Sequence, residues 1–551
     1  TDGYTATVDG DASKELGPNG SVTFSDLAEG DHSIELSDIK SNCSVDGQNP
    51  RTVSVTANNT ASTSFSVSCE DTFGSRDAVL WEYEEWSLQN SSYSGNPFDV
   101  IATVTFEHQG SSKSHTTQMF YDGDNTWKFR FTGTRTGTWT FTTSSSDPEL
   151  DGHSGTVDVY DNSDPEARGF WKTDGNKFAV QVSENSTKGT LFLPYADYSY
   201  VQNQFGCSAS IDHVQMECWT EDLIRTYADR IVSEFGMTHI WLNVNNEIFQ
   251  EGALGHDEHS KVNPGLAEVE KMENAILWAR DEGANVHFWM WGDEQRNWTP
   301  AGLNGGINGT VDRRLQRYLA ARLGPLPGWT MSYGFDLFEW ATSNDVNTWA
   351  SYMKDHMGWN HLLMGRDQKG VSYNGPDLAV QSVGGDGPTS YGDVLNAQID
   401  GKPVIEEERF LYERSLNLTY DMDNTMNVLW WMAMAEGQAG FWGTLWNGGN
   451  EYTKPDWLAT YGKFWENRLL LDMEVDNSIT DGRGMRTPDN AHFVFFKRGT
   501  DSIQIDLSNM SGARSAVAVD TRAQYEEIDL GTLDPTNQTI TLPYSSTWAI
   551  A

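Results

Sequence analysis

The sequence predicts a multidomain protein in which a (β/α)8 barrel is flanked by all-β domains, two of them before the barrel and one after it. The chain has 551 residues, more than one hydrophobic core usually covers. Short alternating strand patterns fill the chain up to residue 162 and return from residue 476 onward. Between residues 165 and 475, apolar strand-like runs alternate with amphipathic helices, which is typical of parallel β/α units.

The two predicted N-terminal β-sandwiches differ in composition. Residues 1–70 contain YTATV, SVTF and HSIEL, separated by Gly, Asn and Asp turns, and predict a small immunoglobulin-like sandwich. Residues 76–162 form the second unit, in which aromatic strands flank DGDN, a predicted hairpin turn. The last predicted sandwich, residues 476–551, contains AHFVFFKR, SIQIDLS and TITLP.

Eight strand-like runs and the helices between them predict the barrel over residues 165–475. The predicted strands are GTLFLPYA, THIWLNVN, NVHFWMW, GFDLFEW, HLLMGRD, LAVQSVG, KPVIEEE and AGFWGTLW. The predicted helices include TEDLIRTYADRIVSEFG, which Thr220 would cap, NPGLAEVEKMENAILWARDEG, DRRLQRYLAARLG, NDVNTWASYMKDHMG and TMNVLWWMAMAEG.

The charge of the chain excludes two classes of partner. Asp and Glu number 79 against 37 Lys and Arg, a formal net charge of −42. A surface this negative repels nucleic acid and anionic membranes, so neither is expected as a partner. The sequence also contains no apolar run near the roughly 18 residues that a membrane helix needs.

The cysteines indicate an oxidising compartment. Cys43 with Cys69 and Cys207 with Cys218 form two neighbouring pairs that disulfides could close, and reduced buried thiols are the alternative. The first residues, TDGYTATVDG, suggest a mature or trimmed secreted product, extracellular or periplasmic.

Candidate catalytic carboxylates stand where two predicted strands end, the face on which such barrels carry their active sites. Glu339 closes the fourth strand, and a Glu triplet closes the seventh. Strand alternation predicts that Glu406 and Glu408 share the inward face, with Glu406 deeper and paired to Arg366, while Glu407 is a second-shell or surface residue. A protonated acid and a carboxylate about 5 Å apart suit retaining glycoside hydrolysis, with Glu408 as the nucleophile.

The seventh strand carries a family resemblance. KPVIEEE resembles the motif of the large clan of retaining hydrolases with (β/α)8 barrels, in which two or three residues separate Lys-Pro-Val from the nucleophile Glu, and counting along it allows Glu408. The clan usually has Asn directly before the acid/base, whereas Phe338 precedes Glu339 here, and Asp336 is the alternative acid. The role of the missing Asn would pass to strand two, at Asn243, Asn245 or Asn246.

The flanking domains resemble a narrower group. Residues 99–143 are similar to the β-sandwich of unknown function that precedes the barrels of apiosidase-like bacterial sugar hydrolases. The segment from GRGMRTPDN to SSTWAIA resembles their C-terminal sandwich, of a type described as collagen-binding. Over residues 76–551 the resemblance implies a secreted bacterial polysaccharide hydrolase.

Aromatic and polar residues near predicted strand ends could bind a sugar. Trp291 and Asp293 follow strand three, and the clan resemblance implies Trp442 as the floor of the subsite next to the scissile bond, with Trp446 beyond it. Core packing is the alternative for each Trp. Tyr198 lies in the long loop that contains the second cysteine pair, a predicted lid, and Arg366 could bind a charged or hydroxyl-rich sugar.

Metal and cofactor motifs are missing from the sequence. It contains no HExxH, P-loop or G-x-S-x-G motif, so no cofactor is expected. The predicted function is glycoside hydrolysis of a polysaccharide or oligosaccharide, with a marine galactan such as agar or carrageenan suggested by the acidic chain. A non-catalytic glycan-binding protein and a polysaccharide lyase are the alternatives, and the oligomeric state stays open.

Overall fold

A computed structural model gives the fold. It describes residues 3–39, 43–69, 72–207, 209–210, 213–249, 262–291, 299–334, 337–366, 373, 375–383, 390–398, 401–407, 411–412, 422–443 and 454–551. Over these ranges, no helix combines the length and apolar character needed to cross a membrane.

The first part of the chain forms a small antiparallel sheet with a thin core. Its strands, in sheet order, are Ala12–Leu16, Tyr4–Val8, Gly30–Ser37 and Arg51–Val55. A separate pair, Cys43–Val45 and Val67–Cys69, places Cys43 directly opposite Cys69, and Cys43 is disulfide-bonded. This cross-link compensates for a core that contains few large side chains.

Residues 72–160 form two sheets around an aromatic core, and we call them the aromatic β-unit. The first sheet has, in order, Ser114–Gln118, Ala102–His108, Gly137–Ser145, Ser154–Tyr160 and Thr72–Val79; the second has Phe120–Tyr121, Thr126–Thr132 and Tyr83–Gln89. Trp86 stacks on Phe129 between the sheets, with ring centroids 5.2 Å apart. The predicted DGDN hairpin is confirmed, because the Asp122 N–H donates to the Thr126 carbonyl oxygen across the turn.

The central part of the chain contains two parallel sheets. The large parallel sheet has, in order, Leu363–Met364, Trp329–Gly334, Asn285–Trp291, His239–Asn243, Pro194–Asp197, Phe441–Gly443 and Leu411–Tyr412. The small parallel sheet has Gln381–Val383, Val404–Glu406 and Gly437–Ala439. A three-stranded antiparallel sheet precedes them, Trp171–Asp174, Lys177–Ser183 and Ser186–Gly189, and a short pair, Ala209–Ser210 with His213–Val214, follows strand Pro194–Asp197.

Backbone hydrogen bonds connect the two parallel sheets at two places. Gly440 lies between the strands Gly437–Ala439 and Phe441–Gly443, and its N–H donates at 2.7 Å to the carbonyl oxygen of Glu406, in the middle strand of the small sheet. At the outermost strand of the large sheet, the N–H of Ala379 donates to the carbonyl oxygen of Leu363 at 2.9 Å. The central region is therefore one continuous, mixed α/β unit.

Five of the described helices were predicted from the sequence, whereas Tyr198–Phe205 lies in the segment predicted as a long loop and Tyr391–Ala397 and Pro455–Trp465 were not predicted. The described helices are Tyr198–Phe205, Glu221–Phe235, Leu266–Asp281, Thr310–Leu323, Ser343–Met357, Tyr391–Ala397, Met422–Met434 and Pro455–Trp465, with 3-10 turns at Pro97–Asp99, Met216–Cys218, Asn245–Ile248, Pro300–Gly302, Leu337–Glu339 and Asn477–Ile479. The Thr220 cap is confirmed, since its side chain accepts a hydrogen bond from the backbone N–H of Leu223. The same helix ends at Gly236, whose φ of 63° is left-handed.

The C-terminal region is a single six-stranded sheet. Its strands, in order, are Glu474–Val475, Arg483–Arg486, Phe493–Asp506, Asn537–Ile550, Arg514–Asp520 and Ile528–Leu533. Phe496 lies on the inner strand Phe493–Asp506 and stacks on Trp430 of the helix Met422–Met434, with ring centroids 5.4 Å apart. This contact joins the sheet to the central region.

Candidate active site

Glu407 follows the strand Val404–Glu406 and reaches across to the large parallel sheet. Its side chain is fully buried. Oε1 lies 3.1 Å from Nε2 of His287 and 3.5 Å from Nε1 of Trp289, and Oε2 accepts a hydrogen bond from Oγ of Ser332 at 3.2 Å. Three donors from two neighbouring strands thus compensate the burial of this carboxylate and fix its orientation.

His287 is held from both sides of its ring. The contact between Nε2 and Glu407 is a hydrogen bond to the carboxylate in the tautomer that carries its proton on Nε2. Nδ1 lies 2.8 Å from Oγ1 of Thr330, on the adjacent strand. The imidazole is fully buried against the rings of Phe192 and Trp241, with centroids 5.6 Å and 5.8 Å away. Its orientation is therefore fixed by packing as well as by hydrogen bonds.

The predicted facing of the Glu triplet is wrong. Ile405 packs into a buried apolar cluster with Phe192 and Met364, and Glu407, two residues further on, contacts His287. Alternation along the strand places Glu406, which is also fully buried, on the opposite face. Of the two described members of the triplet, Glu407 is therefore the one that contacts the large parallel sheet, and the prediction that it supports the site from behind or lies on the surface is corrected.

Glu408, the predicted nucleophile, lies outside the described residues. Its assignment stays a prediction from the sequence motif. The predicted ion pair between Glu406 and Arg366 also stays a prediction.

Arg366 is 1 % exposed and lies two residues after the strand Leu363–Met364. Leu362 and Met364 both pack in the apolar cluster that contains Ile405. A buried guanidinium thus lies just beyond the carboxyl end of this strand.

Glu339 is placed differently from the prediction. The fourth strand is Trp329–Gly334, not GFDLFEW, and Glu339 lies half-buried in the 3-10 turn Leu337–Glu339. Gly334, the last described residue of this strand, has a φ of 133° that suits glycine, and a Cβ there would collide with the backbone oxygen of Trp291. Asp336, the alternative acid, lies outside the described residues, and the acid/base role of Glu339 stays a prediction.

Two predicted sugar-binding residues lie at the carboxyl ends of neighbouring strands of the large parallel sheet. Asn243 is the last residue of His239–Asn243 and Trp291 the last of Asn285–Trp291; both are buried. For the other candidates the structure gives less: Asp293 and Trp446 lie outside the described residues, and only the backbone is described for Asn245, Trp442 and Tyr198.

The predicted disulfide between Cys207 and Cys218 is confirmed. It links the end of the helix Tyr198–Phe205 to the 3-10 turn Met216–Cys218. The backbone N–H of Met216 also donates to Oε2 of Glu247 at 2.6 Å. This bond ties the cross-linked segment to the turn that follows strand His239–Asn243, at the same edge as Asn243.

Sequence reasoning missed the group formed by Glu407, His287, Thr330 and Ser332. His287 and Trp289 alternate in the predicted third strand, NVHFWMW, and both contact Glu407. Nothing in the sequence pointed to Thr330 and Ser332, because the fourth strand was predicted at GFDLFEW, directly after the segment Trp329–Gly334 that forms it. In the described part of the chain, no group of three or more His, Cys, Asp or Glu could hold a metal ion.

Comparison with protein families matches one part of the chain. Residues 78–146 match a domain of unknown function, DUF5060, and these residues lie within the aromatic β-unit. No curated protein matches the chain.

Solved structures with a similar fold are glycoside hydrolases. A proposed glycoside hydrolase from Bacteroides vulgatus aligns with a TM-score of 0.64 at 16% identity, covering 86% of this chain and 99% of its own. A family 5 glycoside hydrolase from the same organism aligns with a TM-score of 0.51 at 12% identity, covering 69% and 93%. A further glycoside hydrolase gives 0.51 at 14% identity, covering 69% and 96%. This chain therefore has a glycoside hydrolase-like fold.

Proposed function

We propose that the protein is a retaining glycoside hydrolase that cleaves a polysaccharide or oligosaccharide, with Glu407 as its nucleophile. The observation that carries the proposal is the placement of Glu407. It is a buried carboxylate at the carboxyl end of a parallel strand, oriented by donors from two other strands. The similarity of the fold to glycoside hydrolases supports the same reaction class.

The proposal includes a closed (β/α)8 barrel. The chain segment 437–443 runs from the small parallel sheet, at Gly437–Ala439, into the large one, at Phe441–Gly443. At the outermost strand of the large sheet, Leu363–Met364, the Ala379 N–H donates to the Leu363 carbonyl oxygen. A barrel closed in this way brings the carboxyl ends of all its strands to one face. The ends of His239–Asn243, Asn285–Trp291 and Val404–Glu406 would then surround one cleft.

The reaction would proceed in two displacements. In the first, Glu407 attacks the anomeric carbon while a carboxylic acid protonates the leaving oxygen; in the second, the same acid, now a base, activates water that releases the sugar. Glu339 is our first candidate for the acid and Asp336 the second. Hydrogen bonds from His287 and Ser332 leave Glu407 with one orientation, which lowers the cost of reaching the attack geometry.

The substrate and location belong to the proposal as well. The buried Arg366 and the ends of strands at Asn243 and Trp291 offer a cationic donor, an amide and an aromatic ring, a set that suits sugar hydroxyls. A galactan from a saline environment is compatible with the net charge of −42, since salt screens the self-repulsion of an acidic chain. The disulfide between Cys207 and Cys218 supports secretion.

A screen of reducing ends released from algal and plant polysaccharides tests the function. Wild type is compared with Glu406→Gln, Glu407→Gln and Glu408→Gln. We expect Glu407→Gln to lower the rate about a thousandfold or more, the scale of removing a covalent catalytic group, with a much smaller effect from the other two.

A second measurement identifies the nucleophile chemically. Glu407→Ala should regain activity with azide and release a glycosyl azide of inverted configuration, because azide enters from the vacated side. Loss of activity only in Glu408→Gln would return the role to the motif-based candidate. Binding of a glycan without cleavage by wild type would favour a non-catalytic glycan-binding protein, and an ultraviolet-absorbing product would favour a lyase.

A further inference from the structure

We propose that His287 is a positioning residue that holds Glu407 in its reactive orientation, with Thr330 as the second anchor of the imidazole. The inference rests on the proposed function, because it assigns a role around the proposed nucleophile. It adds a residue pair on the third and fourth parallel strands, both of them fully buried.

The geometry distinguishes His287 from the other donors to Glu407. The contact from Nε2 of His287 to Oε1 is 3.1 Å, whereas Nε1 of Trp289 lies at 3.5 Å from the same oxygen, the limit of a hydrogen bond. Ser332 donates to the other oxygen at 3.2 Å, but a hydroxyl can rotate to another acceptor. His287 therefore supplies the most strongly directed bond to Oε1.

The second ring nitrogen explains why the imidazole cannot turn away. Nδ1 lies 2.8 Å from Oγ1 of Thr330, and these two residues are direct partners in the pairing of their strands. The Thr330 hydroxyl is fully buried and can donate to or accept from Nδ1, so it satisfies that nitrogen whether the ring is neutral or charged. Rotation of the ring would break both hydrogen bonds inside the protein.

A positioning role predicts a particular kinetic signature. Both ring nitrogens of His287 have partners inside the protein, Glu407 and Thr330, so its loss should leave substrate binding intact and affect the step in which Glu407 attacks. A hydrogen bond to a charged group has a strength that corresponds to a change of about ten- to a hundredfold in rate. We therefore expect a fall in kcat of that size with KM unchanged.

Two pairs of variants test the inference on the full-length protein and the polysaccharide that wild type cleaves. His287→Leu removes the donor, whereas His287→Gln keeps an amide N–H near the position of Nε2. Thr330→Val removes the hydroxyl and keeps the shape, whereas Thr330→Ser keeps the hydroxyl. His115→Leu replaces a buried histidine of the aromatic β-unit and serves as the control for stability loss alone.

The expected result is a kcat loss in His287→Leu, partial rescue in His287→Gln, and a smaller kcat loss in Thr330→Val that Thr330→Ser does not show. His115→Leu should lose thermal stability with kcat retained. If His287→Leu does not fold, the Thr330 pair decides alone.

The failures of the inference and of the proposed function are distinguishable. Wild-type activity in Glu407→Gln overturns the proposed nucleophile and the inference with it. An inactive Glu407→Gln together with wild-type kcat in His287→Leu, or in Thr330→Val where His287→Leu is unfolded, overturns the inference alone. A rise in KM of His287→Leu that matches its whole loss of kcat/KM also overturns it, since that would indicate a binding residue.

Discussion

The contact between the aromatic β-unit and the central helices gives the sharpest prediction about stability. Arg130 lies on strand Thr126–Thr132, whereas Glu273 and Arg322 lie on the helices Leu266–Asp281 and Thr310–Leu323. Oε1 of Glu273 accepts from Arg130 at 2.7 Å and Oε2 accepts from Arg322 at 2.8 Å. Arg130, Glu273 and Arg322 are 3 %, 7 % and 4 % exposed, so one carboxylate bridges two guanidinium groups away from water.

Glu273→Gln keeps the shape of the side chain and removes its charge. Breaking a buried ion pair by removing one partner costs about 3–5 kcal/mol, because the remaining charge is uncompensated. Arg130 retains Glu85 and Arg322 retains Asp122, each on the partly exposed side of the network. We therefore expect the lower end of that range, a loss of about 3 kcal/mol in the free energy of unfolding.

Urea unfolding followed by tryptophan fluorescence measures the loss, and calorimetry shows whether the aromatic β-unit then unfolds in a separate transition. Glu221→Gln is the matched control, since Glu221 pairs with Arg225 but is 59% exposed. Its loss should stay below about 1 kcal/mol, as for other exposed ion pairs. Equal losses in the two variants would refute the argument that burial makes the Glu273 network strong.

Two further predictions concern the disulfide and the response to acid. Replacing Cys207 and Cys218 by Ser opens a loop with a sequence separation of 11 and should lower the free energy of unfolding by about 3 kcal/mol, which urea unfolding of the variant and the wild type measures. Burial lowers the pKa of His115 from 6.5 to about 4, and the neutral ring donates from Nδ1 to the Gly358 carbonyl oxygen. Between these two pKa values the unfolded chain binds a proton at His115 that the folded chain does not bind. The contribution of His115 to stability is therefore full above about pH 6.5 and falls by about 3 kcal/mol as the pH drops to 4. His115→Gln should show a flatter pH dependence in the same urea titrations.

Much of the organisation of the chain was accessible from the sequence, because each element carries a local signal. The helix Glu221–Phe235 has a capping Thr and a terminal Gly, and the structure uses both. The DGDN turn forms between strands of alternating aromatic residues. The fourth strand lacked a clear apolar pattern, because Trp329–Gly334 contains Thr, Ser and Gly, all of them buried. The next segment, GFDLFEW, has the alternating pattern of a strand, but its residues Leu337–Glu339 form a 3-10 turn.

The facing of the Glu triplet shows why the site was harder to predict than the fold. A parallel strand covered on both faces is apolar on both, so Val404 and Ile405 are equally buried and do not indicate which face holds the polar partners. A register shift of one residue moves every side chain of a strand to the opposite face. Because the three Glu residues are identical, the sequence of the strand does not show which of them faces the polar partners. What fixes it is distant in sequence: Ile405 completes an apolar cluster with Phe192, and the next residue on that face meets the N–H of His287, 120 residues away. Packing between strands thus sets the facing of Glu406 and Glu407, and the three Gln variants test through activity which member of the triplet is the nucleophile.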